Sequence, residues 1–283
     1  MDYILLCTSI FSMVFNNSLM SRVSKTMLRG KTDVYRFNSF TYLMCVILFG
    51  LMTIGNGFSV YTLLLGILFG FVTTMSNFYR TLALADGPTH ITILITTSSM
   101  VIPTLSGVVM GLEEFKPLKI LAMAILIFFI YLSSKKSENS GIGKLWFLYC
   151  ALAFVFQGII GVIQKVHQSS QHKSELFPFL FVSFTFSFLF ASFMGYSKKT
   201  DTKFGIWHYI LASVSGVCVF TMNFLNLRLS GVLPSQLFFP VVNGTTIILT
   251  SVIAVILFKE RLTKRQFIGI VGGLLSLVGI CLL

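Results

Sequence analysis

Residues Phe58 to Tyr79 read FSVYTLLLGILFGFVTTMSNFY, an unbroken run without Asp, Glu, Lys or Arg. As an α-helix rising about 1.5 Å per residue, it reaches roughly 30 Å, the thickness of bilayer hydrocarbon. A helix also satisfies its backbone hydrogen bonds internally, as lipid demands. Comparable runs recur on both sides of it. The spans are predicted at Tyr3 to Met20, Phe37 to Thr53, Phe58 to Tyr79, Pro88 to Leu112 and Leu118 to Leu132. A second five follow at Leu145 to Gln164, Leu176 to Tyr196, Gly205 to Leu227, Val232 to Phe258 and Phe267 to Leu283. With 55% hydrophobic and 11% charged residues over 283 positions, too little polar surface exists for a water-soluble domain. The expected class is all-α, a polytopic membrane protein with ten transmembrane helices.

The quoted run also carries an internal repeat. A single ungapped shift of 146 residues takes Gly70 to Gly216, Asn77-Phe78 to Asn223-Phe224, Pro88 to Pro234, Thr104 to Thr250 and Glu114 to Glu260. Matching span boundaries accompany these identities, which points to duplication. Residues 1–134 are the expected first repeat and 145–283 the second, joined by 135–144 within the polar stretch Ser133 to Lys144. Five spans is an odd number, so the second copy enters the membrane from the opposite side, giving two five-helix inverted repeats.

The segment Phe258-Lys-Glu-Arg-Leu-Thr-Lys-Arg-Gln-Phe-Ile-Gly-Ile-Val-Gly-Gly-Leu-Leu-Ser-Leu-Val-Gly279 resembles the end of an EamA-type member of the drug/metabolite transporter superfamily. There a Glu closes the ninth span and a Gly-rich tenth span follows. Glu114-Phe-Lys-Pro-Leu-Lys119 is the first-half equivalent, without those glycines in its following helix. The resemblance implies transport by alternating access, with spans one, three, four, six, eight and nine lining a central cavity. It leaves the solute open, since the family's architecture is similar across amino acids, sugars, nucleotides and drugs.

Charge sharpens the topology. The formal net charge of +12 sits in short loops with no basic stripe interleaved with aromatics, so nucleic acid is not an expected partner and anionic lipid is. Most Lys and Arg follow spans one, three, five, seven and nine; the opposite side has only Lys116, Lys119, Lys165, Lys173 and Arg228. The positive-inside rule then puts the basic loops in the cytoplasm and both termini outside, whereas the resemblance implies cytoplasmic termini. Asp2 stands where a signal peptide's basic region belongs, so the first run is expected to remain as a span of a protein in the cytoplasmic (plasma) membrane. Cys7, Cys45, Cys150, Cys218 and Cys281 are scattered singly without CxxC spacing and read as small core residues.

Polar groups inside lipid are costly unless they face protein or water, which makes them candidates for a solute path. Asn16, Asn17, Thr73, Asn77 and Thr97 are the first-half candidates, and Gln157, Gln164, Asn223, Gln236 and Asn243 those of the second. Such amides and hydroxyls suit a small polar solute, amino-acid-like or otherwise neutral or zwitterionic; they also serve as glue between helices. Pro88 and Pro234 read as helix starts, with a gating hinge as the alternative, and Pro103 as a kink within its span. Arg80 and Arg228 close spans three and eight and read as anchors at the headgroups, with anchors for an anionic solute as the alternative. His167 and His172 read as solvated loop residues. Gly269, Gly272, Gly273 and Gly279 suggest close helix packing, with a homodimer face as the alternative.

Every acidic residue falls in a loop or at a helix end, so coupling through a lipid-buried carboxylate is not expected. No nucleophile elbow, phosphate loop, HExxH or carboxylate pair is found, and neither a metal, a cofactor nor catalysis is expected. The competing functional class is a non-transporting membrane subunit or an intramembrane lipid-modifying enzyme.

Overall fold

Helices make up all the regular structure among the described residues of the computed structural model, which are 2–87, 89–112, 114, 116–133, 144–197, 204–258 and 264–282. The first half comprises α1 (Asp2–Thr26), α2 (Lys31–Thr53), α3 (Val60–Asp86), α4 (Thr89–Thr97), a 3₁₀ turn (Ser98–Met100), α5 (Val101–Val109) and α6 (Pro117–Ser133). The second comprises α7 (Lys144–Ser169), α8 (Leu176–Tyr196), α9 (Ile206–Val232), α10 (Ser235–Phe258) and α11 (Lys264–Leu282). Among the described residues six helices, α1, α2, α3, α7, α8 and α9, are long and apolar enough to cross a membrane, and shorter apolar helices run over Ile95–Val109 and Ile120–Phe129.

Local chemistry sets the ends. Ser59 caps α3 by accepting the Thr62 N–H, and Gly55 at φ +84° turns the chain out of α2. α1 continues to Thr26, past the expected Met20, because hydrophobicity limits what enters lipid while Ser21 to Thr26 can stay helical beyond it. The fourth predicted span is broken at Ser98–Met100. Pro103 lacks an N–H and its ring crowds the carbonyl four residues earlier, at Ser99, so the expected kink is centred there and not at the proline. The Pro234 carbonyl accepts the N–H groups of Leu237 and Phe238, as befits a helix start. Pro88 and Glu260 lie outside the described residues.

The packing is pairwise. α2 runs against α8, and α6 against α11; α1 packs on α9 as α7 packs on α3, and α2 lies on α9 as α8 lies on α3. Small residues permit the close approaches. A Cβ on Gly70 of α3 would stand 2.3 Å from the Ser183 carbonyl oxygen of α8, and one on Gly216 of α9 would stand 2.7 Å from the Thr41 carbonyl oxygen of α2. Gly272 of α11 likewise makes room for Phe129 of α6. Tyr42, Cys45, Phe49, Phe69, Phe179 and Phe184 fill the core between α2, α3 and α8. Large apolar side chains also cover the outside, among them Phe11, Leu51, Leu64, Phe128, Phe147, Phe193 and Trp207. Such a surface suits contact with lipid and is ill suited to water.

At one end, the loop before α3 is tied to the loop before α8. Glu175 accepts hydrogen bonds from the Ser59 amide at 2.8 Å and the Ser59 hydroxyl at 2.9 Å, and its other oxygen lies 2.9 Å from His172 Nδ1. Tyr61 stacks on the His172 ring. Burial opposes ionisation of Glu175, but the Ser59 amide, His172 and the Ser59 hydroxyl outweigh it and hold the carboxyl down at about 2. His167 corrects the loop reading. It belongs to the last turn of α7, is fully buried and stacks on Phe179 at 4.2 Å, because α7 runs five residues past the expected Gln164.

Candidate functional site

A polar cleft opens between α1, α2 and α3 of the first half and α9 of the second. Its lining comprises Asn16 and Met20; Asn38, Thr41 and Tyr42; Asn77, Arg80, Thr81 and Leu84; and Ser215 and Val219. It is narrow, with room for little more than a water-sized body.

The lining is held by bonds between helices. The Ser215 hydroxyl donates to Asn16 Oδ1 at 2.7 Å, joining α9 to α1. The Asn77 amide donates to the Tyr42 hydroxyl at 3.0 Å, joining α3 to α2. Thr41 and Thr81 donate their hydroxyls to carbonyls of their own helices, so those donors are already engaged. Asn38 differs: it is 4% exposed and its Nδ2 has no hydrogen-bond partner among the described residues. A buried donor left so costs about 1–3 kcal/mol.

Arg80 departs from the sequence expectation. It lies six residues inside the end of α3, roughly 9 Å along the helix, and turns into the cleft instead of out to headgroups. Its guanidinium donates to Asn17 Oδ1 on α1. Among the described residues no carboxylate lies within 4 Å of it. A full charge inside a candidate span is costly against lipid, and its turn into the cleft sets it against protein instead. Arg228, by contrast, is exposed on α9.

The ten expected site residues are thus divided. Asn16 and Asn77 line the cleft and Asn17 stands behind it as the partner of Arg80. Gln157 accepts the Ser76 hydroxyl at 2.9 Å, joining α7 to α3. Asn223 and Asn243 donate to the carbonyls of Val219 and Phe239, each one turn back in its own helix. Gln236 donates to the Glu114 carbonyl at 2.7 Å and accepts the Lys116 N–H, so it fastens the loop before α6 to α10. Thr73 and Gln164 are buried in α3 and α7, and Thr97 ends α4; none of the three lines the cleft.

Asn38, Thr41, Tyr42, Thr81 and Ser215 are lining residues that sequence reasoning passed over, and Arg80 is one that it placed first at the headgroups. Asn38, Thr41 and Tyr42 stand in an apolar second span that the family resemblance leaves out of the cavity. Arg80 carried the one usable signal, a full charge directly after an uncharged run that α3 continues past to Asp86.

The fold and the cleft define an integral, multi-pass α-helical membrane protein with a polar interior. Residues 144–282, beginning at the first residue of α7, match the EamA-like transporter family model, and this second half of the chain belongs to that family. That classes the protein with membrane transporters. A solved crystal structure is similar over 99% of this chain and 96% of its own, with a TM-score of 0.75 and 11% identity, a likeness of fold alone. No curated protein matches in sequence.

Proposed function

We propose that the protein is a secondary transporter that moves a small polar solute by alternating access, its two five-helix halves being inverted repeats around the cleft. The cleft itself carries this reading. It is a polar space enclosed by helices whose outer faces are apolar, and it lies where α9 of one half meets α1, α2 and α3 of the other. The matched pairings of α1 with α9 and α7 with α3, and of α2 with α9 and α8 with α3, support the inverted relation. In such an architecture one half rocks against the other, and a cleft as narrow as this must widen to admit a solute.

The test is flux into proteoliposomes that hold the purified chain alone, with amino acids, organic acids, sugars and nucleosides as solutes. Saturable uptake above protein-free liposomes is expected for one class. Uniform absence of flux, with no ligand raising the melting temperature, would leave the membrane-subunit reading in its place.

A further inference from the structure

We propose that Arg80 and Asn38 together form an anchor for a carboxylate, so that the solute taken by the cleft is a small organic acid or amino acid with one carboxylate. This rests on the reading of the cleft as the solute site.

Three observations meet at this point. Arg80 brings a permanent cation with five N–H donors, and Asn17 is its one hydrogen-bond partner among the described residues. Asn38, on a different helix and lining the same cleft, has a buried amide nitrogen with no acceptor among the described residues. Among the described residues no carboxylate lines the cleft, and Asp33, five residues before Asn38, is not part of the lining. The space therefore offers donors and positive charge and lacks a negative group to meet them. A carboxylate supplies that group: it is planar, presents two acceptor oxygens, and matches the fork of a guanidinium.

The charge also selects among anions. Among the described residues Arg80 is the one Lys or Arg in the lining, so a phosphate monoester with nearly two negative charges would keep an unbalanced charge in a site walled by lipid-facing helices. A neutral sugar leaves the guanidinium uncompensated. The repeat sharpens the point, because the shift of 146 residues takes Arg80 to Asn226, a neutral amide that accepts the Ser9 hydroxyl. The cation thus stands in one half only, as an asymmetric solute with a single acidic end requires. Asn17 is the acceptor that a solute carboxylate would join or displace at Arg80.

The experiment compares acids with their own amides in proteoliposomes of the purified full chain. Amino acids and monocarboxylates, each paired with the corresponding primary amide, compete against uptake of the best-carried labelled acid. The acid should compete at least roughly tenfold better than its amide, the worth of one good charge-assisted bond. Arg80→Gln should bring that ratio close to one, Arg80→Lys should keep part of it, and Asn38→Leu should weaken the acid without helping the amide. Equal competition by acid and amide in the unaltered protein overturns the proposal, as does an acid preference that survives Arg80→Gln, or a preference for phosphorylated or cationic solutes. Should Arg80→Gln not fold, Arg80→Lys and Asn38→Leu decide by the same ratio. If no solute of any class is carried, transport has failed and the anchor is read by melting instead. The acids should then raise the melting temperature of the unaltered protein and not of Arg80→Lys to the same extent, and absence of any rise overturns the anchor as well.

Discussion

The Ser187 hydroxyl on α8 donates to the carbonyl oxygen of Gly70 on α3 at 2.9 Å. The Cys45 thiol on α2 makes the counterpart contact, to the carbonyl oxygen of Gly216 on α9 at 3.3 Å. A shift of 142 residues takes Cys45 to Ser187 and Thr41 to Ser183, against 146 for the glycines, and the difference is taken up around the longer connection between α8 and α9. Each glycine therefore seats its helix on a carbonyl of the partner helix and hands its own carbonyl to a small donor there. Replacing Gly70 or Gly216 by Ala is expected to destabilise the fold by about 1–3 kcal/mol through overpacking against backbone. Ser187→Ala should cost only about 0.6 kcal/mol, a usual value for a hydrogen bond between membrane helices. Melting in detergent measures all three, and a Gly70→Ala change milder than Ser187→Ala contradicts the packing described.

Asn77 and Asn223 occupy the same repeat position with different surroundings. Asn77→Leu removes a donor from the Tyr42 hydroxyl within the cleft, so solute flux should fall severalfold with little change in melting. Asn223→Leu replaces a buried side chain that is bonded to its own helix and does not line the cleft, so flux per folded molecule should stay within about twofold, or roughly 0.4 kcal/mol. Equal loss of flux from both, at equal expression, would place Asn223 in the solute path too.

The Glu175 contact is a pH-dependent tie between two loops. Its folded value of about 2 lies below the ordinary 4.5, so the stabilisation is fully present above about 4.5 and is lost as pH falls toward 2. The difference in melting temperature between the unaltered protein and Glu175→Gln should be largest at neutral pH and shrink over that acid window. A difference that grows on acidification has the wrong sign for the contact.

Solute movement is expected to carry no protons, as facilitated diffusion or exchange. One carboxylate needs watching, because Asp33 starts α2 fully buried, with one oxygen on the Arg29 N–H at 3.1 Å and the other without a partner among the described residues. An impermeant pH dye inside proteoliposomes should show no solute-driven change. Stoichiometric proton movement overturns the expectation; its loss in Asp33→Asn would name the carrier, and its survival when Asp33, Asp86, Glu114 and Glu260 are neutralised singly would point elsewhere.

The basic loops set an orientation that can be read directly. A reporter fused after Leu283 and active only in the cytoplasm should be silent, since the loops after the odd-numbered spans hold most of the Lys and Arg. Activity there would favour the orientation that the family resemblance implies.

The sequence by itself determined the solvent, the secondary structure and the family. Long runs free of charge admit only helices in lipid, and the shift that pairs Gly70 with Gly216 was visible before any coordinate. It could not say which way a polar residue faces. In a helix apolar on every side, no periodicity separates the lipid face from the protein face, so Arg80 and Arg228 read alike. Tertiary packing separated them: α1, α7 and α8 crowd α3 and leave Arg80 only the cleft, while Arg228 lies on an open face of α9. The same cause divided the amides. Asn223 and Asn243 found carbonyls one turn back in their own helices, and Asn16 and Asn77 found partners on neighbouring ones. Which partner a buried polar group reaches depends on how close the next helix stands, and that distance exists only once the helices are packed.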